Sequence, residues 1–594
     1  MRIRILAPLV LATTLALPSA ASAAIHCVGT SAPDCTDTFA TSGQAVGVAL
    51  DGDTIRFGAG TFDPIDTPKV LSYIGVGAGT PESAAGATVI QQTAPSGTGM
   101  TLTHGGTVQA LRVEGGPYPG GMGSAGTGVW FRATTDGDMT LTLVDVIATG
   151  GSTTALPFGG AGLALGDSLT ATGSKVATVT GGAFMGSSTP GAGGMAVYTC
   201  CIQSTFTGAL LRTAGSPALY ASIDSTVTLN GTTVEGVSGI RTQGPTAVTV
   251  NRSRVNALGL GLFLRSEPNE PTNVSMRDSL VIAGSTGGET GGAVSLEGGT
   301  GAPVVFEAVG STFIGRGTSP AVHASRTTDA SPGLTATLRN SIARAEGSGV
   351  DLLADRATIG ADFSSFNTRS LENGGVAPEP GSGTNVGGDP LLAADYSLQP
   401  GSPLIDRGDP ADVLPGEFDL AGAARALDGN GDCAAVPDIG AFERPDACPP
   451  PNLPPQLTNV SVTNRVFAPV AKRASTTRKR KVKRGTRFRY TLSEPARVTI
   501  AIERALPGRV RGRGTRKRCV KPTARNRKAR RCKRYKRVTR LVVNEQAGRQ
   551  STAFTGRVKR RALKPGPYRA RLVASDALGA RSRERRIALR VVRP

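Results

Sequence analysis

Aromatic and histidine side chains are scarce in this chain of 594 residues. Aromatic residues make up 4% of it, with one Trp, and there are three histidines. This scarcity excludes a large globular core of the ordinary kind and leaves few ligands for a histidine-rich metal centre. Glycine supplies 79 residues, about twice its usual share, without the three-residue period of collagen. The composition therefore predicts a repetitive β architecture with many turns.

Long apolar runs are missing beyond the first residues of the chain. Residues 1–23 have the pattern of a secretory signal peptide: a basic start, an apolar segment and the small residues Ala21-Ser22-Ala23. A membrane anchor is the alternative, but the apolar segment from Ile5 to Leu17 is shorter than the roughly 20 residues that span a bilayer. We expect a secreted, extracellular protein without a membrane anchor.

The eight cysteines fall into four close pairs, which is typical of an oxidising compartment. Neighbours on a strand point to opposite faces, so a bridge between adjacent Cys200 and Cys201 would be strained. Two free thiols or an intermolecular bond remain open for that pair. Short loops closed by the other pairs predict three local disulfides. These are Cys27–Cys35, Cys433–Cys448 and Cys519–Cys532.

Charge is divided unevenly along the chain. Residues 1–450 hold 22 Lys and Arg against 39 Asp and Glu, a net charge of −17. Residues 451–594 hold 44 Lys and Arg against only 5 Asp and Glu, a net charge of +39. This division predicts two domains of opposite charge.

A repeat runs through the acidic part of the chain. Short apolar strands recur about every 22 to 33 residues between 129 and 352, and a second alternating strand with a turn residue followed by Ser or Thr lies between them. Residues 227–234 and 274–281 show this second pattern. Such small units bury their apolar faces only by stacking, at about 4.8 Å per coil. We predict an all-β fold with a right-handed parallel β-helix over residues 24–375. An antiparallel β-sandwich is the alternative, disfavoured because two-residue hairpin signals are missing.

Two segments resemble known secreted β-helix proteins. Residues 51–62, with Gly52-Asp53-Thr54-Ile55, are similar to the first coil of bacterial members. Within 376–448, the blocks 389–392, 401–409 and 438–443 occur in order and resemble the C-terminal signature of the choice-of-anchor Q family of secreted right-handed β-helix proteins. This resemblance implies a surface protein held at the envelope by a C-terminal anchor, and it implies no catalytic activity.

Parallel β-helices also include pectate lyases and other polysaccharide-cleaving enzymes. Lyase chemistry needs a basic residue near the substrate carboxylate, and residues 24–450 contain only two lysines, Lys69 and Lys175. Hydrolysis needs two carboxylates about 5 to 10 Å apart, for which Asp136 and Asp138 are a candidate pair, although a solvated turn is favoured. A secreted polysaccharide lyase or glycoside hydrolase acting along the β-helix groove remains the alternative function.

One loop carries oxygen ligands at alternate positions, the spacing by which a loop wraps a calcium ion. These ligands are Asp428, Asn430 and Asp432. The usual acidic ligand of such loops is replaced by Ile439, and a disulfide-stiffened turn is the alternative. Ca²⁺ is the only cofactor that the sequence suggests.

The basic part begins after a proline-rich linker at residues 449–456. Residues 457–594 contain strand-like runs, and the segments 491–496 and 575–579 resemble Ig-like or fibronectin-type modules of exported bacterial proteins. We therefore predict a small basic β-sandwich after the β-helix.

A net charge of +39 predicts salt-sensitive binding of polyanions. Because export is predicted, we expect anionic cell-wall polymers or extracellular polysaccharides as partners, with nucleic acid bound only non-specifically. The leading interpretation is a non-enzymatic, cell-envelope-associated adhesin or scaffold. The predicted polyanion-binding residues are Arg478, Lys479, Arg480, Lys481, Arg516, Lys517, Arg518, Arg530, Arg531, Lys533 and Arg534.

Overall fold

The computed structural model of the protein contains two compact units, residues 1–448 and 449–594. It describes residues 23–593 with internal gaps. The predicted signal peptide therefore lies almost entirely outside the described residues. The gaps are 118–125, 152–159, 168–170, 187–193, 215–216, 268–270, 285–290, 299–301, 327–332, 445–452, 471–481, 513–516 and 560.

Three long parallel sheets form the first unit, and each strand pairs with the strand one coil away. Sheet 1 consists, in order, of Asp37–Phe39, Ile25–Val28, Thr54–Phe57, Leu71–Ile74, Gly105–Gln109, Met139–Val144, Lys175–Thr180, Gln203–Thr207, Ser225–Asn230, Thr246–Asn251, Thr272–Arg277, Val304–Val309, Leu334–Arg339 and Thr358–Asp362. Sheet 2 consists of Gly60–Phe62, Thr88–Gln91, Arg112–Glu114, Ile147–Thr149, Ala183–Met185, Leu210–Arg212, Thr233–Gly236, Arg254–Ala257, Leu280–Ala283, Thr312–Gly317 and Ile342–Gly347. Sheet 3 consists of Ile65–Thr67, Met100–Leu102, Val129–Ala133, Leu163–Asp167, Val197–Cys200, Leu219–Ser222, Ile240–Gln243, Leu262–Arg265, Val294–Gly298, Val322–Arg326, Leu352–Asp355 and Arg369–Glu372.

Alternation at period two explains the interior of this unit. In Ser225–Asn230, Val227 and Leu229 are buried, and they pair with the equally buried Val248 and Val250 of the next coil. The same alternation places Thr228 on the outer face. One continuous apolar core results from this stacking. The predicted parallel β-helix is confirmed.

The turn between sheets 1 and 2 explains the repeated Ser or Thr in the sequence pattern. The preceding residue takes a positive φ, for example 49° at Asp278 and 49° at Asn340. The buried Ser that follows accepts a hydrogen bond from the Ser or Thr backbone one coil earlier. The N–H of Ser253 donates to Oγ of Ser279 at 3.0 Å. This hydroxyl ladder continues through Thr232, Ser253, Ser279, Ser311, Ser341, Ser364 and Asn385.

A short helix, Ser42–Val48, packs against the first coils, and Thr41 caps its N-terminus through Oγ1. The ammonium group of Lys69 donates to the carbonyl oxygens of Val46, Gly47 and Ala49 at 2.7–2.9 Å. A cation at this end satisfies carbonyl groups that have no partner inside the helix. No helix in the described part of the chain is long and apolar enough to span a membrane.

Residues 389–443, here called the tail, cover the outer face of sheet 2 at its last coils. Tyr396 and Phe442 cluster with Leu280 and Ile314 of that sheet. A second cluster joins Leu404, Ile405 and Ile439 of the tail to Ile342. The tail contains a single 3₁₀ turn, Pro410–Asp412, among its described elements. The segment that resembles the choice-of-anchor Q signature therefore packs on the β-helix.

The second unit is built of sheets whose strands pair antiparallel, except that Val466–Phe467 pairs in parallel with Arg585–Val591. One sheet contains Leu457–Val462, Thr486–Leu492 and Gly548–Phe554; the other contains Val466–Phe467, Arg585–Val591, Gly566–Ser575, Ala496–Arg511, Arg518–Val520 and Arg531–Glu545. A small ribbon, Arg557–Val558 with Arg561–Ala562, and a 3₁₀ turn, Ala524–Asn526, complete it. Phe488 and Tyr490 of the first sheet pack with Val498 and Ile500 of the second. The predicted β-sandwich is confirmed as a fold class.

The structure corrects the expectation for Cys200 and Cys201, which are bonded to each other. The argument from alternating strand faces does not apply, because the strand Val197–Cys200 ends at the first of them. Cys201 adopts a φ of 64°, outside extended geometry. Two other disulfides join Cys27 to Cys35 and Cys519 to Cys532. Cys433 is disulfide-bonded, and its predicted partner Cys448 lies outside the described residues.

Candidate functional site

A long basic hairpin projects from the second sheet of the C-terminal unit. Its strands are Ala496–Arg511 and Arg531–Glu545, which pair antiparallel from Ala496 to Arg509 with a bulge after Ile502. The neighbouring strand Gly566–Ser575 pairs with the first of them only as far as Arg504. Residues 505–511 and 531–535 therefore extend beyond the sandwich.

Gly508 allows the disulfide of the hairpin to form. Gly508 lies directly opposite Cys532 of the second hairpin strand. On the other side of the first strand, Cys519 lies opposite Val510. A Cβ atom at position 508 would collide with Sγ of Cys519 and would lie 3.2 Å from Sγ of Cys532. The disulfide therefore crosses over this glycine and fastens the third strand, Arg518–Val520, to the hairpin.

From Arg504 to Asn544, the hairpin and its connecting loop carry positive charge only. Residues 504–544 contain 18 Lys and Arg and no Asp or Glu. Cations face each other directly across the strands at Arg504–Lys536, Arg509–Arg531 and Arg511–Arg518. Like charges in opposite positions of an antiparallel pair destabilise it. Within the described part of this segment, no ion pair offsets that repulsion.

Beside the base of the hairpin, the arginines of the neighbouring strand Gly566–Ser575 are paired with carboxylates. Glu503 accepts hydrogen bonds from Nε of Arg569 at 2.7 Å and from Nη1 of Arg571 at 3.2 Å. The guanidinium carbon of Arg569 lies 3.5 Å from the ring centre of Tyr535. Arg571 also pairs with Glu584. These carboxylates neutralise the neighbouring strand and leave the described cations of residues 504–544 without an ion pair.

A groove of about 640 Å³ runs beside this outer part. Its apolar floor includes Leu506, Pro507 and Pro522, and Arg509, Arg531 and Lys533 lie along it. Along one strand, Arg531 and Lys533 are about 6.6 Å apart on the same face. An apolar floor edged by cations suits a chain-like anion with carbon-rich units between its charges.

The structure places part of the predicted polyanion site together. Lys517, Arg518, Arg530, Arg531, Lys533 and Arg534 all belong to the hairpin tip and its connecting loop. Arg478, Lys479, Arg480, Lys481 and Arg516 lie outside the described residues. Sequence reasoning missed Arg509 and the groove beside it. The acid-free run of residues 504–544 was the available signal.

The predicted calcium ligands hold their own loop together. The buried carboxylate of Asp428 accepts backbone hydrogen bonds from Gly431, Asp432 and Cys433 at 2.7–3.2 Å. Asn430 and Asp432 each accept one from the residue two positions ahead. Among the described residues, no three His, Cys, Asp or Glu side chains are grouped as metal ligands. Calcium binding by this loop stays a prediction.

A buried ionic cluster attaches the tail to the β-helix. The guanidinium of Arg425 donates to Asp278 and, through Nη1, to Glu443 at 2.7 Å. Asp438 is buried beside them and accepts from the backbone of Asp406 and Arg444. Burial raises the pKa of Asp278 to about 7, of Glu443 to about 7 and of Asp438 to about 6. One guanidinium cannot neutralise three buried carboxylates, so the cluster favours the protonated form of these carboxyl groups.

The residues considered for catalysis have structural partners. Lys69 holds the helix end described above, and Lys175 donates to the carbonyl oxygens of Gly137 and Thr172. Asp136 accepts two hydrogen bonds from Thr172, which lower its pKa, and Asp138 accepts one from the backbone of Ser174. The two carboxylates therefore fasten one turn to the next coil.

Comparisons with known proteins add little to this picture. No protein-family model matches the chain, and no curated protein matches it. Among solved structures, it is similar to the crystal structure of pectate lyase Pel9A, with 13% identity, a TM-score of 0.35 and coverage of 71% of this chain and 97% of that one. A likeness of this size carries no argument about activity. The β-helix assignment follows from the strand pairing itself.

Proposed function

We propose that this protein is an exported, cell-envelope-associated β-helix protein whose basic C-terminal unit binds anionic polymers. The cross-strand cation pairs of the hairpin carry this proposal. Arg509 faces Arg531 and Arg511 faces Arg518 with no carboxylate between them. A polyanion laid along the hairpin would neutralise these pairs, so its binding would also relieve their repulsion.

The disulfides support the exported part of the proposal. Local bridges such as Cys27–Cys35 and Cys519–Cys532 form and persist in oxidising compartments. The signal-peptide pattern of residues 1–23 agrees with them. We further propose that the tail belongs to the choice-of-anchor Q type and that the C-terminal unit is an Ig-like or fibronectin-like module. On this account, anionic cell-wall polymers or extracellular polysaccharides are its partners, and the β-helix is non-enzymatic.

The test is salt-dependent binding of long-chain polyphosphate to the full-length mature protein. The logarithm of the binding constant should fall linearly with the logarithm of salt concentration, because neutralised charges release counterions. The double variant R531E/K533E should lose more than about tenfold in affinity, and its salt slope should drop by about two.

A matched control isolates the hairpin from general charge. Arg581 and Arg583 are exposed in the same unit but outside the hairpin. The variant R581E/R583E makes the same change in net charge and should lose much less affinity. Equal losses in the two double variants would show that net charge, and not the hairpin, attracts the polymer.

A further inference from the structure

Four partly exposed aromatic side chains of the β-helix lie in one column. Although aromatic residues make up only 4% of the chain, sheet 3 brings four of them, including the single Trp, into register on its outer face. Each member is half-buried. The column, here called the aromatic column, consists in order of Trp130, Ala164, Tyr198, Tyr220, Arg241 and Phe263.

The members of the aromatic column contact one another. The ring centres of Tyr198 and Tyr220 are 5.9 Å apart. The guanidinium carbon of Arg241 lies 5.9 Å from the ring centre of Tyr220 and 5.2 Å from that of Phe263. The next coil places the small residue Ala164 opposite Trp130, and Gly166 of the same strand lies beside the indole nitrogen. The guanidinium carbon of Arg132 lies 5.1 Å from the centre of the Trp130 ring. Six coils at about 4.8 Å give a platform about 24 Å long.

Arg241 has hydrogen-bonding capacity that the described residues do not use. Its Nε is buried and has no hydrogen-bond partner there. Guanidinium groups carry five donors, and a buried donor without an acceptor is costly. Gln243, on the same strand, contacts the hydroxyl of Tyr220 and donates to Glu267 at 2.7 Å. Polar groups thus lie beside the rings, where a ligand stacked on the rings would meet them.

We infer that the aromatic column is a binding surface for a linear neutral polysaccharide aligned with the β-helix axis. Pyranose rings present apolar C–H faces that pack on aromatic rings, and their hydroxyl oxygens accept hydrogen bonds from Arg241. The net charge of −17 on residues 1–450 disfavours a polyanion on this unit. The surface is thus chemically distinct from the basic hairpin, and a protein with both would link two kinds of polymer.

The test uses the full-length mature protein at about 0.5 M NaCl, where polyanion binding by the C-terminal unit is screened. The probes are chitin, cellulose and the soluble β-glucan laminarin, with polygalacturonate as the acidic comparison. We expect binding to at least one neutral probe, and we expect Y220A and R241A each to weaken it about tenfold. Thr228 lies in the next strand but on the outer face of sheet 1, so T228A should bind as the unaltered protein does.

Intrinsic fluorescence gives a second readout that needs no variant. Trp130 is the only Trp, so its emission reports on the column alone. Oligosaccharides of the bound neutral probe should change this emission saturably, whereas polyphosphate should leave it unchanged. Failure of all neutral probes, preference for polygalacturonate at this salt, or unaltered binding by folded Y220A would overturn the inference. None of these outcomes would affect polyphosphate binding at low salt.

Discussion

Arg425 of the tail lies with its guanidinium against Asp278, a residue 147 positions earlier in the turn between sheets 1 and 2. Its Nε is 2.7 Å from Oδ1 of Asp278, and the two side chains are 3% and 5% exposed. The same guanidinium also donates to the carbonyl oxygens of Gly310 and Gly440 at 2.8 Å. One side chain thus joins a turn of the β-helix to the end of the tail. Several residues of the choice-of-anchor Q resemblance, among them Asp438 and Glu443, surround it and therefore have a structural role.

Replacing Arg425 by Met should destabilise the β-helix unit by about 3–5 kcal/mol. The substitution leaves Asp278 and Glu443 buried without their cation, which is the costly way to break a buried ion pair. Urea unfolding followed by circular dichroism measures the change. The control is R407M, because Arg407 is exposed on the same tail and should cost less than about 0.5 kcal/mol. Equal stabilities for the two variants would show that the cluster does not hold the tail.

The stability of this unit should fall as pH rises from about 4 to about 7. Burial raises the pKa of Asp278 and Glu443 to about 7 and of Asp438 to about 6, above the usual value of about 4 in an unfolded chain. The folded state therefore binds more protons than the unfolded state in this range, and deprotonation favours unfolding.

Thermal unfolding of the full chain across that pH range tests the prediction. Glu443→Gln removes one of the raised carboxyl groups and should make the fall of Tm with pH shallower, whatever its effect on the absolute Tm. A Tm that rises between pH 5 and 7, or a slope that Glu443→Gln leaves unchanged, would contradict the account of the cluster.

Ser279→Ala should lower the free energy of unfolding by about 1–3 kcal/mol, because it leaves a buried donor without an acceptor. Oγ of Ser279 accepts from the N–H of Ser253 and donates to the carbonyl oxygen of Arg277 at 2.7 Å. Chemical unfolding measures the loss. Ser275→Ala, on the exposed outer face of the preceding strand, is the matched control and should change stability little. Equal free energies of unfolding for the two variants would show that the hydroxyl ladder does not stabilise the β-helix.

Gly508→Ala should prevent the disulfide of the hairpin. The added methyl group would occupy the space through which Sγ of Cys519 reaches Cys532. Thiol titration of the purified, unreduced protein should then find two reactive thiols that the unaltered protein lacks. The control is Ala529→Gly in the connecting loop. Gly512→Ala would not serve, because the φ of 93° at Gly512 would strain an alanine there. No new thiols in G508A would mean that the bridge does not need the glycine.

The fold was predictable because its rules are local. Apolar alternation in segments such as 227–234 and the turn residue before Ser253 or Ser279 define both the strand faces and the bends of each coil. The aromatic column was not predicted, although Trp130 and Tyr220 lie within the short apolar strands that recur between residues 129 and 352. To find the column, one must know which residues of successive coils lie opposite each other. The positions of the strands in the sequence do not give this register.

The tail and the hairpin show a different limit. The contact between Asp278 and Arg425 depends on chain path over 147 residues, and nothing local in the sequence predicts it. In the basic unit, charge density predicted polyanion binding, but the pairing of Arg509 with Arg531 required the antiparallel register. The bond between Cys200 and Cys201 was missed because the end of a strand at Cys200 could not be placed to a single residue.

The central claim is that the basic C-terminal unit holds the protein on anionic polymer, and co-sedimentation with purified anionic cell walls tests it most directly. The full-length mature protein should pellet with the walls at low salt and return to the supernatant as salt rises. A chain ending at Pro450, which keeps the whole β-helix unit, should stay in the supernatant throughout. Equal retention of the two chains would contradict the account.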